Sequence, residues 1–261
     1  MIKLVITDMD GTLLTTDKKV PVEIYEIILK LKEQGIAFVA ASGRQYFNLV
    51  KNFEPVKEHL YYIAENGAYM CQGEHELLSS TLPKETVKNL LENAVGIPEV
   101  YPVVCTKETA YLTSNEQRVI DQVEPYYTKY KVINNFNEIH EDAFKIAYLD
   151  FGVSEVNVYP HFKKYEETLQ VCVSAHEWMD VMVKDVNKGE AVKKLQTLLN
   201  VTPEETLIFG DFMNDYEMMQ QAKYSYAMAN AHPKLKEVCN FECDSNDNNG
   251  VVKKIKEIFN L

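Results

Sequence analysis

The chain lacks any run of about eighteen apolar residues, so no segment reads as a membrane-spanning helix. It also lacks a basic face. Of its 27 Lys and Arg and 39 Asp and Glu, 10 and 16 fall between Lys84 and Lys184, so that stretch and the remainder each carry −6 of the net −12. Binding a nucleic acid or an anionic membrane requires concentrated positive charge, which neither part offers. Cysteines are few and odd in number. Cys71, Cys105, Cys172, Cys239 and Cys243 sit mostly in apolar surroundings, and the last two have neither the paired spacing nor the histidines of a zinc site. Reduced thiols are expected. The opening Met-Ile-Lys-Leu-Val-Ile-Thr-Asp is interrupted by charge too soon for a signal peptide, so the expected compartment is the cytoplasm. There is no Gly/Ser linker, repeat or low-complexity tract.

At 261 residues the chain suits one large domain or two modest ones, with a core that needs no disulfide or structural metal. Its 46% hydrophobic and 25% charged content is ordinary for a globular protein. Apolar runs rich in β-branched residues alternate with helical spacings. Strands are expected at 3–7, 36–41 and 61–64, with a hairpin through Gln72-Gly73. Helices are expected around Ile24, Ile27, Ile28 and Leu31, with Gly35 past the end, and over 45–53. After Lys188 the alternation resumes: helix 190–199, strand 206–210, helix 215–222, strand 224–228, helix 251–259. Such alternation implies a parallel sheet flanked by helices, with a ligand site at the carboxyl ends of the strands.

Residues 83–185 have a different rhythm. Close-set strands at 100–105, 110–113, 144–151, 169–174 and 178–183, with one helix at 156–165, imply an α+β insert built on an antiparallel sheet. Hinges are expected near Leu82-Pro83 and Val186-Asn187. The expected division is 1–82 with 186–261 as an α/β core, and 83–185 as the insert.

Four features sit where strands end. The first is Asp8-Met9-Asp10-Gly11-Thr12. In extended chain Asp8 and Asp10 project to one side, and two converging carboxylates repel unless one is protonated or a cation lies between them. A hard divalent ion such as Mg²⁺ would relieve that repulsion, although Asp10-Gly11 could also be a plain turn. The second is Ser42-Gly43-Arg44, an anion cradle at a helix start or simply a serine cap. The third, Lys188-Gly189, opens a helix with either a working or a solvated lysine. The fourth, Gly210-Asp211-Phe212-Met213-Asn214-Asp215, offers oxygen ligands or a capping cluster. Chance accounts for one or two of these at strand ends, hardly for four.

In this combination the sequence resembles the haloacid dehalogenase (HAD) superfamily of phosphotransferases. The stretches Asp8–Thr12, Ser42, Lys188 and 210–215 stand as its four motifs. The insert between the second and third is similar to the Cof-type, subclass IIB branch, and the N-terminal stretches look closest to its bacterial sugar phosphatases. The resemblance implies a Rossmann-like parallel-sheet core and an inserted α+β cap of the C2B type. It implies Mg²⁺-dependent hydrolysis of sugar phosphates or similar small phosphomonoesters.

On that resemblance Asp8 is the nucleophile and Asp10 the general acid and base. Mg²⁺ is held by Asp8, the Asp10 carbonyl, Asp211 and Asp215, the last through a water. Ser42, Gly43 and Lys188 hold the phosphoryl oxygens, with Asn214 and Arg44 as further contacts, or Arg44 simply solvated. Substrate choice falls to the cap, where Tyr126, Tyr127, Tyr130, His176, Glu177, Trp178 and Asp180 are candidates. The implied partner is a small phosphomonoester, and the expected state a monomer or small homo-oligomer. A sugar phosphomutase of the same superfamily, or a non-catalytic phosphoacceptor of the receiver type, are the rival readings.

Overall fold

A computed structural model describes all 261 residues. The chain begins with β1 (Leu4–Asp8), α1 (Glu23–Glu33), β2 (Ala37–Ala41), α2 (Tyr46–Asn52), β3 (Leu60–Ala64), β4 (Tyr69–Gln72) and β5 (His75–Ser79). The second stretch contains α3 (Lys84–Ala94), β6 (Val100–Thr106), β7 (Ala110–Leu112), α4 (Gln117–Val123), β8 (Tyr130–Val132), β9 (Ala143–Asp150), α5 (Tyr159–Phe162), β10 (Leu169–Ala175) and β11 (Trp178–Val183). The chain then closes with α6 (Lys188–Leu199), β12 (Thr206–Gly210), α7 (Tyr216–Met219), β13 (Tyr224–Met228), α8 (Pro233–Lys236), β14 (Phe241–Cys243) and α9 (Gly250–Phe259).

Two sheets organise these elements. The larger has the order β14-β13-β12-β1-β2-β3-β4-β5, parallel from β14 to β3 and antiparallel at β4 and β5. Every residue of β1 and β12 is buried, because helices cover both faces and remove the need for polar alternation. Helix α1 buries Ile24, Ile27, Ile28 and Leu31 on one stripe, with Glu23 and Glu26 in its first turn and Lys30 and Lys32 in its last, matching the helix dipole. From β1 the chain first builds outward through β2 and β3, and later returns to build outward through β12, β13 and β14. The strand order therefore reverses at β1/β12, and the crevice above their carboxyl ends is where such sheets bind ligands.

The smaller sheet, β10-β11-β9-β6-β7-β8, is antiparallel except for the β7–β8 pair. One face packs on α3 through Leu90, Ile146, Tyr148, Met179 and Val181, and the other on α4 through Val103, Ala147, Leu149, Val119 and Trp178. By the period of two, Lys145 shares a face with Ala147 and Leu149, and Asp180 shares one with Trp178.

Several local expectations are corrected. The helix expected at 156–165 is α-helical only over Tyr159–Phe162, continuing as a 3₁₀ turn through Tyr165. That expected over 215–222 shortens to Tyr216–Met219 behind a 3₁₀ turn. Helices α3, α4 and α8 and strands β8 and β14 lie outside the expected elements. Helix α3 fully buries only Leu90 and Ala94, and β14 is a largely exposed edge strand, so both lack a strong apolar pattern. No helix is long and apolar enough to cross a membrane, and all five cysteines are unpaired.

Candidate active site

Asp8 ends β1 and lies 5% exposed in the crevice. Lys188, the first residue of α6, is fully buried and donates to Asp8 Oδ1 and Asp215 Oδ1, both at 2.6 Å. Its helix starts there because the Asn187 side chain caps the Glu190 amide at 2.9 Å. Gly189 is needed for close approach, since a Cβ would sit 2.6 Å from the Glu217 backbone. Burial alone would lower the Lys188 ammonium, but Asp215 and Asp8 outweigh it and hold the group charged.

Asp215 spends both oxygens on structure: Oδ1 on Lys188, and Oδ2 on the amides of Asp211 (3.0 Å) and Phe212 (3.4 Å). That bond arches the loop after β12 so that Asp211 returns over β1, where Thr12 Oγ1 donates to its Oδ1 at 2.8 Å. Gly11 has φ +75°, and a Cβ there would lie 2.2 Å from Asp211 Oδ2, so only glycine lets the two loops meet.

Asp8, Asp211 and Asp215 each bring one carboxylate oxygen within 4.8 Å of the others. Burial, then Asp215, pushes the Asp8 carboxyl up against the pull of Lys188; burial, then Asp8 and Asp215, pushes Asp211 up as well. Three carboxylates against one ammonium leave a local charge of −2 when all are ionised. Hard oxygen donors with that deficit suit a divalent cation such as Mg²⁺.

Asp10 is not part of this cluster. Its oxygens take a bidentate pair from Arg44, Nε and Nη2 each at 2.6 Å, and Lys18 Nζ at 2.7 Å. The repulsion expected between Asp8 and Asp10 is relieved by separate cations, Lys188 for one and Arg44 with Lys18 for the other. Burial would raise the Asp10 carboxyl, but the bonds and charge of Arg44 and the charge of Lys18 hold it below the usual range. Arg44 itself is neither solvated nor free. It is 4% exposed, donates to Asn48 Oδ1 (2.7 Å) and to the Pro125 carbonyl (3.0 Å), and lies 5.3 Å from the Tyr126 ring centroid.

A cavity of about 90 Å³ separates the two sheets. Its floor includes Asp8, Asp10, Ser42, Gly43, Arg44 and Asn214. Ser42 Oγ accepts from the Arg44 amide at 3.1 Å, and Asn214 donates to Asn66 Oδ1 at 3.2 Å. Lys188, Asp211 and Asp215 stand behind that floor. The roof includes Tyr126, Tyr127, Trp178 and Asp180, with Tyr126 edge-on to Trp178 at 5.5 Å between centroids. Tyr130, His176 and Glu177 are not there. Tyr130 turns outward to Glu124 (2.8 Å), and His176 pairs with Glu177 on the surface. Lys145, Ser174, Ala175 and Phe212 also line the cavity without having been anticipated. Ligand sites are typically several hundred Å³, so this gap is narrow, and the 83–185 stretch is latched over it by Arg44 and Asn48 on the Pro125 carbonyl and by Gln45 on the Lys129 backbone.

Comparison with known proteins agrees with this arrangement. Residues 5–255 match the model of the haloacid dehalogenase-like hydrolase family. The chain is 30% identical to the Escherichia coli 5-amino-6-(5-phospho-D-ribitylamino)uracil phosphatase YbjI, covering 98% of this chain and 96% of that protein. It is 27% identical to phosphatase YwpJ of Bacillus subtilis, over 98% and 99% of the two chains. Among solved structures, SMU.1108c of Streptococcus mutans superposes with a TM-score of 0.93 at 29% identity over the full length of both. The chain belongs to the haloacid dehalogenase-like hydrolase family, and it is a phosphatase.

Proposed function

We propose that this phosphatase is Mg²⁺-dependent and hydrolyses phosphomonoesters of small hydroxylated metabolites, sugar phosphates or similar, through an aspartyl-phosphate on Asp8. Residues 1–82 and 186–261 form the catalytic core in this reading, and 83–185 the cap that selects the leaving group. The observation that carries it is Asp8: one oxygen is tied to Lys188, while the other has no protein partner and the residue faces the cavity. That is the posture of an oriented nucleophile.

The free Asp8 oxygen attacks phosphorus and the ester oxygen leaves, so one difficult displacement becomes two easier ones. Asp10 gives the leaving oxygen its proton and later takes one from the water that cleaves the acyl phosphate. Asp10 must loosen from Arg44 or Lys18 to carry that proton. Ser42, the Gly43 amide and Lys188 hold the phosphoryl oxygens, and Asn214 steadies the rim. Asp8, Asp211 and the Asp10 carbonyl would hold Mg²⁺, with Asp215 behind them. Bound there, the ion would neutralise the carboxylates against an anionic substrate and draw charge from the transition state.

The substrate class draws on two supports. The Escherichia coli relative is named for a phosphorylated ribityl compound, a hydroxylated chain joined to a heteroaromatic ring. The roof here combines aromatic faces with a carboxylate, a setting for hydroxyls beside a ring. The test is phosphate release from a panel of phosphomonoesters with Mg²⁺ and with EDTA. Asp8→Asn is expected to abolish turnover with the fold intact. Retained activity in that variant, activity indifferent to EDTA, or a strong preference for a substrate without hydroxyls would each refute the corresponding part. An isomerised sugar phosphate in place of released phosphate would identify a mutase.

A further inference from the structure

The buried carboxylates spend their oxygens differently, and Asp10, which also lines the cavity, gives both of its oxygens to Arg44 and Lys18. Asp215 uses both within the protein, as a structural carboxylate does. Asp150 has one unpartnered oxygen, but it is sealed away from solvent and outside the cavity. Asp8 anchors one oxygen and leaves the other free. Asp180, on the opposite wall, repeats the Asp8 pattern.

Asp180 is 2% exposed, and both of its protein contacts go to one atom. Asn66 Nδ2 donates to Oδ2 at 2.6 Å, and Lys145 Nζ approaches the same oxygen at 3.4 Å. Oδ1 has no hydrogen-bond partner, yet it is not among the buried unsatisfied atoms, and the residue lines the cavity. It is an acceptor left open to whatever fills that space.

The surroundings fix it there. Lys145 on β9 pairs with Met182 in the ladder, which makes Asp180, two residues back along β11, its diagonal cross-strand neighbour. Lys145 Nζ also donates to the Gly43 carbonyl at 2.7 Å and pairs with Glu65 at 3.0 Å, so the cap cation is seated in the core beside the phosphate cradle. Asn66 in turn accepts from Asn214 in the loop that carries Asp211 and Asp215. Asp180 is thus referenced to the catalytic loop through two amides and to Ser42-Gly43 through one lysine. Such bracing holds a recognition group in place against the reacting centre.

We propose that Asp180, positioned by Lys145 and Asn66, is the residue that recognises the leaving group, its Oδ1 accepting a hydrogen bond from a substrate hydroxyl. Lys145 is a positioning residue in this scheme. The aromatic walls of Tyr126 and Trp178 flank the same space and select a substrate with both a hydroxyl and an apolar face. The inference rests on the hydroxylated-substrate reading above.

Asp180→Asn keeps a carbonyl oxygen for Asn66 while placing a donor where Oδ1 stood. Asp180→Ser offers a smaller side chain should the amide disturb folding. The reading is the ratio of kcat/KM for hydroxylated phosphates (glucose 6-phosphate, ribose 5-phosphate, a ribityl phosphate) to kcat/KM for p-nitrophenyl phosphate, whose leaving group carries no other hydroxyl. A hydrogen bond to a charged acceptor corresponds to about a 10- to 150-fold change, so that ratio is expected to fall by this factor in both variants, mostly through KM for the hydroxylated substrate. Equal losses on both substrate types would make Asp180 a structural group and overturn the proposal, as would an unchanged ratio. If the wild-type enzyme itself prefers phosphates without hydroxyls, the substrate class falls and this inference with it. If it prefers hydroxylated ones and the ratio survives in the variants, only the role of Asp180 falls.

Discussion

Replacing Lys188 with methionine removes one charge from a buried ion cluster while nearly keeping side-chain volume. Three carboxylate oxygens are then left within 4.8 Å of one another with no ammonium between them. At an effective dielectric of about 20, two unit charges at that separation repel by about 3.5 kcal/mol. The cluster can escape by taking up a proton. Measured from the unfolded chain, that costs up to about 4.9 kcal/mol at pH 7.5, less the share that the already raised Asp8 and Asp211 carboxyls impose on the wild type. Lys188→Met is therefore expected to lose about 3 kcal/mol, the low end of the range seen when one member of a buried pair is removed.

The pH dependence has a definite sign. Burial and neighbouring anions already raise the Asp8 and Asp211 carboxyls, and losing Lys188 raises them further. A carboxyl whose folded pKa exceeds its unfolded value contributes stability that is fully present below the unfolded pKa and lost as pH rises through the folded pKa. The variant should therefore recover as pH falls, by up to about 2.7 kcal/mol per coupled proton between pH 7.5 and 5.5. Mg²⁺ should stabilise the variant more than the wild type, because the cluster it would join is one charge more negative. Urea unfolding followed by circular dichroism, in EDTA at both pH values and then with millimolar Mg²⁺, gives all three quantities. A gap below about 1 kcal/mol that ignores pH and Mg²⁺ would show that Lys188 does not hold these carboxylates together in solution.

Two further substitutions separate the latch from the loop geometry. Arg44→Met removes both bonds to Asp10, whose side chain is 28% exposed and keeps Lys18, so a loss of about 2 kcal/mol is expected, between exposed and buried pairs. It also removes one of the two hydrogen bonds on the Pro125 carbonyl, leaving that from Asn48 Nδ2 at 3.1 Å, so a raised KM should accompany the lower unfolding midpoint; unchanged values in both would refute the role of Arg44 in the latch. Gly11→Ala meets Asp211 at 2.2 Å with φ +75°, a strain of roughly 1–3 kcal/mol, and the displaced carboxylate should cost about 100-fold in phosphate release. A Gly11→Ala enzyme of near-normal rate would refute the stated approach of the two loops.

The core was legible because its signals are local. A strand buried on both faces is a short apolar run, as at 206–210 in the core and 178–183 in the insert, and the half-buried strand at 224–228 also stands where its run does. Parallel topology then places a ligand crevice at strand ends, so the candidate residues Asp8, Ser42 and Asp211 are found by looking just past each run. The shortened helix at Tyr216–Met219 shows the limit of that logic. Its apolar spacing is helical, but the Asp215 carboxylate claims the amides of Asp211 and Phe212 and tightens the first turn into 3₁₀ form.

Arg44 and Lys145 mark what spacing alone leaves open. Arg44 follows a serine at a helix start, where solvent or phosphate are natural partners, and nothing nearby announces Asp10, 34 residues away. Lys145 carried a signal of another kind. It stands in Ala-Phe-Lys-Ile-Ala-Tyr-Leu-Asp, a strand buried at all eight positions. A buried ammonium is too costly to leave unpaired, so a lysine in such a run demands anionic company. The sequence therefore announces that a charge partner exists without saying which, because Glu65 lies 80 residues before it and Asp180 lies 35 after. Only the closure of one sheet over the other selects them. That closure also leaves one Asp180 oxygen facing the cavity that Asp8 lines, which is why the residue proposed for substrate choice is harder to read from sequence than those proposed for the reaction.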